Sequence, residues 1–426
     1  MEWPLAFVAT CDLVALVRGR AMSRQSLLSS NTGVGWVPAD LALTAFGGIA
    51  DPNPFGSLGD LRLIPDLETE IILPPADSAS NPLHLFLSNQ STIDGKPWEC
   101  DPRAHLQNAI QELKSRHNIE VIASFEHEFT LATSKVGNPF GLDSLRNAEP
   151  FGTKLLTTLD SVGLAPENWL PEYGNGQFEI TLEPASALVA ADRAVYLREI
   201  VRDTAKQEGL KASFVPLPHP EGVGNGVHIH LSLQRDGKPI TYDPQTKHHL
   251  SSLASQAFNG ILQHAEALLA ITAPSQISFL RLTPHRWSAG GICIGKQNRE
   301  ALLRICPIIE FGGSDPARTF NVEYRAADAT ANPWLALSVL IRAMTWGLDQ
   351  AQEVGEIIDG EVEGSTARPL PSSLDAAITA LETNQIVNSW FAPDLLNTHL
   401  GIRAGEKAAL AGLTDAEKCE RYANVY

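Results

Sequence analysis

A chain of 426 residues that is 44% hydrophobic and 19% charged is too long for one ordinary core, so two domains of a packed globular protein are expected. Acids outnumber bases 49 to 32, for a net charge of −17, which argues against nucleic acid or an anionic membrane as the main partner and leaves a small cationic or metal-neutralised ligand open. The five scattered cysteines, Cys11, Cys100, Cys293, Cys306 and Cys419, form no C-x-x-C pair and read as reduced, buried thiols of a cytoplasmic protein.

The first twenty residues, MEWPLAFVATCDLVALVRGR, open with an acid and carry Asp12 inside their apolar run, so no secretory leader is expected. No uncharged apolar stretch reaches the roughly 20 residues that span a bilayer. Residues 1–98 alternate short apolar runs with turn text such as NTGVGWVP and FGGIADPNPFGSLGD, which predicts a small strand-rich domain. In DPRAHLQNAIQELKSRHN, Asp101 suits an N-cap and Pro102 the first helical position, and Leu106, Ala109, Ile110 and Leu113 form one stripe. This helix opens the second domain, 99–426, and leads into a strand, IEVIASFEHEFTLAT, over 119–133. Further helices are predicted over 185–207, 249–271, 332–352 and 373–382, and EVGEIIDGEVEGSTARPLPSS reads as an exposed loop or linker.

Four strands divide their faces in the same way. Val121, Ala123, Phe125 and Phe129 oppose Ser124, Glu126, Glu128 and Thr130; Phe178, Ile180 and Leu182 oppose Gln177, Glu179, Thr181 and Glu183. Val227, Ile229, Leu231 and Leu233 oppose His228, His230 and Ser232; Phe320, Val322, Tyr324 and Ala326 oppose Asn321, Glu323 and Arg325. Side chains two apart on a strand sit roughly 7 Å apart, where two bare carboxylates repel by about 2 kcal/mol at an effective dielectric of 20. A merely wet face would mix in lysine. Here acids and histidines accumulate without one, and oxygen donors with an imidazole suit Mg²⁺ or Mn²⁺ better than structural zinc. Six arginines, Arg281, Arg286, Arg299, Arg304, Arg318 and Arg325, suggest anionic oxygens of a carboxylate or polyphosphate to be held, with ordinary surface ion pairing favoured for Arg286. No Walker-type glycine loop is present, so any nucleotide must be held by metals and arginines.

These segments together resemble the glutamine synthetase family. FEHEF resembles its E-x-E-F strand, EYGNGQFEI its Glu–Gly-Gln–Glu segment with Glu172 and Glu179, and GNGVHIHLSL its G-x-G-x-H-x-H-x-S strand. RLTPHRW with NREALLRICP, and NVEYRAADATANPWLALSVL, resemble the arginine-bearing segments that follow. The match is collinear over nearly the whole chain. The resemblance implies an α+β fold: an N-terminal β-grasp domain, then a larger α/β catalytic domain with an antiparallel sheet lining the site. It implies stacked rings, dodecameric, with sites shared between neighbours. It implies ATP as co-substrate and two divalent cations, one on Glu128, Glu172 and Glu179 and the other on Glu126, His228 and Glu323. His230, Ser232, Arg304 and Arg318 match nucleotide-side positions; Arg281, Arg299 and Arg325 match those gripping the substrate carboxylate and the transferred phosphoryl group; Gly224 lies in the loop over the amino acid. The implied reaction is an ATP-dependent ligation of a carboxylate, glutamate by default, to an amine through an acyl phosphate.

Three departures bear on the amine. Trp287 stands where ammonia-using members carry an acid, VGWVPADLAL replaces their Asp-Gly-Ser-Ser text, and Val223 replaces an Asn. An ammonium site needs anionic oxygens, whereas an indole offers a flat apolar wall. The expected acceptor is therefore an organic amine, small alkyl or aryl, with a polyamine disfavoured. The alternatives are glutamine synthetase proper, a non-catalytic ring-forming relative, which the intact ligand set speaks against, and a metal-dependent hydrolase, which leaves the arginines without a task. Trp287 could also be a hydrophobic plug for a loop or subunit contact. No tyrosine lies between Trp346 and Tyr422, so adenylylation there is not expected.

Overall fold

Residues 4–75, 80–132 and 137–426 are described by the computed structural model; Thr133, the last residue of the predicted 119–133 strand, lies outside them. Residues 5–92 supply a six-stranded sheet. Its strands Leu5–Cys11 and Leu83–Thr92 lie side by side and parallel, and every other pairing in it is antiparallel.

An eleven-stranded sheet forms the larger part of the molecule. Its centre is Glu120–Leu131, flanked by Val227–Arg235 on one side and Gln177–Leu182 on the other, all antiparallel. Beyond Val227–Arg235 come Val322–Tyr324 and Ala301–Ile305, also antiparallel. The expected antiparallel sheet thus lines the site, but the far end is mixed, because Gly291–Lys296 pairs in parallel with Ala301–Ile305 and Ile357–Ile358. That last pairing corrects the linker reading of 353–373. Ile357–Ile358 extends the sheet, and Val362 is buried with Cys293 and Ala301.

Strict alternation over Glu120–Leu131 puts Val121, Ala123, Phe125, Phe129 and Leu131 into the core. Four helices, Pro102–His117, Ala187–Gln207, Ser252–Thr272 and Pro333–Gln350, contribute much of the core behind it. All four lie where the sequence predicts them, to within a turn. The last two cross so closely that a Cβ on Gly260 would sit 1.9 Å from the Ala343 carbonyl oxygen and one on Gly347 2.3 Å from that of Gln256; only glycine permits that approach. Asp101 caps Pro102–His117 as predicted, accepting from the Arg103 amide. Buried Arg103 then donates to both oxygens of Asp192 at 3.0 and 2.7 Å and to Asp66 at 2.9 Å. These bonds fasten the N-terminal sheet to the catalytic layers, and breaking one would strand a buried charge. Among the described residues no helix is long and apolar enough to cross a membrane, and all five cysteines are free and buried.

Candidate active site

Strand register decides which polar side chains meet. Glu126 lies opposite His228, His230 opposite Glu323, Glu323 opposite Arg304, and Glu128 opposite Glu179. Glu172 follows strand Pro166–Pro171, which borders Gln177–Leu182. Four alternating patterns thus become one polar face.

On one half of this face the acids are compensated. His228 donates from Nδ1 to Glu126 at 2.7 Å and stands 3.4 Å from Glu323, and His230 Nε2 is 3.4 Å from Glu126. Arg304 donates to Glu323 at 2.7 Å, and Arg325 donates to the other oxygen of that carboxylate. Burial opposes ionisation at both acids. The His228 and His230 hydrogen bonds nevertheless hold Glu126 well below the usual carboxylate range, and Arg325 with the two histidines holds Glu323 at about 2. Glu126, His230 and Glu323 bring ligand atoms within 4.8 Å of one another, the one such trio among the described residues. The sequence grouped His228 with these two acids; in the structure its Nδ1 lies 2.7 Å from Glu126 and 3.4 Å from Glu323, and His230 stands beside the same pair.

On the other half the acids face each other. Burial and then the Glu128 charge raise Glu172 to about 7. Burial and the charges of Glu126, Glu128 and Glu172 raise Glu179 to about 10. Glu128 accepts from the Gly226 amide at 2.6 Å. Such an arrangement favours a proton or a hard cation.

Two cavities meet on this face. One, of about 340 Å³, is lined by Glu126, Glu128, Glu172, Glu179, His228 and Gly224, together with Arg281, Arg299, Arg304 and Arg325. The other, of about 510 Å³, is lined by Glu126, His230, Ser232 and Arg318. Glu126 belongs to both. Every predicted site residue except buried Glu323 therefore lines one cavity or the other, and Glu323 braces the arginines from beneath. Arg281 is buried and spends Nη2 on the carbonyls of Ala326 and Ala327 at 2.7 and 2.9 Å. A Cβ at Gly224 would meet Arg281 Cγ at 2.5 Å, so a side chain there would displace the arginine. Arg318 is exposed, with Asp315 3.8 Å away.

Sequence reasoning missed two aromatic rings at the first cavity. Phe140 packs edge-on against Tyr173 at 4.9 Å, and Tyr173 lies 5.6 Å from Trp287. All three line the cavity and are exposed, Trp287 at 60%, so within this chain Trp287 is no plug. Phe140 and Tyr173 sit in connections without periodicity, and only adjacency to Glu172 could have flagged Tyr173. It also missed Gln177, whose amide donates to the Gly224 carbonyl at 2.8 Å and to Asn225 at 3.0 Å. The ion-pair reading of Arg286 is corrected. This side chain donates to the carbonyls of Gly222 at 3.2 Å and Pro220 at 2.8 Å, because two carbonyls aimed the same way suit a guanidinium fork.

The glutamine synthetase catalytic-domain model matches residues 99–422 and the N-terminal-domain model residues 4–98. The chain belongs to the glutamine synthetase family. It is a ligase that forms carbon–nitrogen bonds, with the α+β fold that the resemblance implies. Gamma-glutamylpolyamine synthetase GlnA3 of Streptomyces coelicolor is 29% identical, over 96% of this chain and 90% of its own. Type-1 glutamine synthetase 1 of Dictyostelium discoideum is 30% identical, over 85% of this chain and 76% of its own. A solved structure of a novel glutamine synthase homolog superposes with a TM-score of 0.94 at 38% identity, covering 100% of this chain and 99% of that one.

Proposed function

We propose that this ligase joins the γ-carboxyl group of glutamate to an organic amine, small alkyl or aryl, at the expense of ATP and through an acyl phosphate. One observation carries the choice of acceptor: Phe140, Tyr173 and Trp287 form an exposed aromatic rim on a cavity whose floor is acids and arginines. An apolar amine substituent gains from that rim, whereas ammonium gains nothing from it. Glutamine synthesis from ammonia is the second reading, because the Dictyostelium relative bears that name. The absence of an acid at position 287 weighs against it.

The donors fit a pair of hard cations. Glu128, Glu172 and Glu179 would hold one Mg²⁺ or Mn²⁺, and Glu126 and Glu323 with His228 or His230 the other, since the raised Glu172 and Glu179 mark charge that a cation would relieve. Bound there, the cations would offset phosphate charge. Arg281, Arg299 and Arg325 are proposed to orient the acid and the transferred phosphoryl group, and His230, Ser232, Arg304 and Arg318 the nucleotide. Gly224 leaves room above the amino acid. The carboxylate oxygen attacks the terminal phosphorus and ADP departs. The amine nitrogen then bonds to the acyl carbon, phosphate leaves and the nitrogen loses a proton. Self-association into stacked rings, as a dodecamer with two domains, 1–98 and 99–426, per subunit, is proposed with this reading; exposed Leu58 and Phe311 support it as apolar contact surface.

Phosphate release and amide formation, measured with ATP, Mg²⁺ and glutamate across a panel of alkyl, aryl and polyamine acceptors plus ammonia, test the reading. An alkyl or aryl amine should exceed ammonia at equal concentration by about tenfold or more, the scale of one buried apolar group. Ammonia matching the best amine would overturn it, and no turnover with any amine would favour the non-catalytic relative.

A further inference from the structure

Two neighbouring segments contribute to the wall of the first cavity, 281–288 through Arg281, Arg286, Trp287 and Ser288, and 219–224 through Val223 and Gly224. Both segments are anchored at their bases. Buried Asn225 donates to the Val215 carbonyl at 2.9 Å. The His285 amide donates to Glu300 at 3.0 Å, and the Trp287 carbonyl accepts from Arg325 at 3.1 Å. The Arg281 side chain packs against Gly224, and a second arginine links the two segments by hydrogen bonds. Half-buried Arg286 donates to Pro220 and Gly222. It is flanked by two non-glycine residues in left-handed backbone, His285 at φ +64° and Trp287 at φ +55°, a local cost that persists only where surroundings enforce it. The turn it grips is tight: the Gly222 amide donates to the His219 carbonyl at 2.8 Å, and a Cβ on Gly222 would lie 3.1 Å from that same oxygen. Pro220 and Gly222 thereby present two carbonyls in one direction, a spacing a planar guanidinium spans and a lysine ammonium does not.

We infer that Arg286 is a positioning residue that pins the Val223–Gly224 wall to the Trp287 wall, so that the activated carboxylate meets the amine and not water. The inference rests on the proposed reaction. An acyl phosphate has two fates. Attack by the amine nitrogen forms a C–N bond, breaks the C–O bond to phosphate and yields the amide. Attack by a water oxygen breaks the same C–O bond, sends a proton to solvent and returns the free carboxylate, with ATP hydrolysed for nothing. What separates these fates is closure of the cavity over the acyl carbon, and the Arg286 bridge is a polar link between the two segments.

The test uses the full-length protein with Arg286→Ala and Arg286→Lys. Phosphate released per amide formed should be near one in the wild type and rise several-fold in Arg286→Ala, with a higher KM for the amine; Arg286→Lys should fall between. Amide hydrogen exchange over 219–224 should quicken on the order of tenfold in Arg286→Ala, the loss of one to two net hydrogen bonds, with an unchanged melting temperature. A wild type that makes no amide would sink the proposed function, and the exchange arm would still decide the pin. Unchanged exchange overturns the pin itself. Faster exchange with an unchanged phosphate-to-amide ratio overturns its role in excluding water.

Discussion

Two groups of carboxylates share one face of the catalytic sheet, yet their surroundings drive them in opposite directions. Glu126 and Glu323 are met by His228, His230, Arg304 and Arg325, and both are held ionised. Burial and then the charge of neighbouring acids push Glu172 up to about 7, through Glu128 first, and Glu179 up to about 10, through Glu126, Glu128 and Glu172. The same residue type in the same alternation can therefore be part of the framework or a site that gains from outside charge. What distinguishes the two is the neighbouring strand: histidine and arginine strands on one flank, a second acid strand on the other.

The contrast breaks most visibly at Glu323. Replacing it with alanine leaves two largely buried guanidiniums, Arg304 and Arg325, without their shared carboxylate. The expected loss is on the order of 3–5 kcal/mol, read by denaturant unfolding, with activity falling beyond detection. Glu179→Gln should behave otherwise. Its carboxyl is already protonated at neutral pH in the metal-free protein, so metal-free stability should move by less than about 1 kcal/mol. Mn²⁺ affinity, followed by electron paramagnetic resonance, should drop by roughly a hundredfold. Equal destabilisation by the two substitutions would erase the distinction. The smallest effect is on pH. Protons held by Glu172 and Glu179 must leave as a cation binds, so Mn²⁺ affinity should climb from pH 6 to pH 8 by up to about tenfold per unit for each proton released. Because these acids are raised in the fold, their contribution to metal-free stability is complete below the ordinary carboxylate range and is lost as pH rises through about 7 for Glu172. Calorimetry in buffers of different ionisation heat checks this; a flat affinity would mean the acids are already ionised.

The period-2 pattern showed which side chains share a face, because alternation is a property of one strand. It could not show that Glu126 sits opposite His228 or Glu128 opposite Glu179, since pairing depends on loops and packing far away in the chain. Hence which acids and histidines share the polar face was legible, whereas the place of His230 beside Glu126 and Glu323 was not. The Asp101 cap and the helix after it were legible for the same local reason. Helix Pro393–Ala409 was not, because Gly401 and Gly405 interrupt its helical text. Gly401 is there for a tertiary cause: a Cβ would lie 2.3 Å from the Pro52 carbonyl oxygen. Arg286 was misread because a carbonyl pair leaves no trace in sequence.

Glu126 forms part of both cavity walls. A charge arriving in either chamber is felt there at short range, so the two chambers cannot fill as independent vessels. Whatever enters one resets the welcome offered to the guest of the other, and a single carboxylate serves as their common wall.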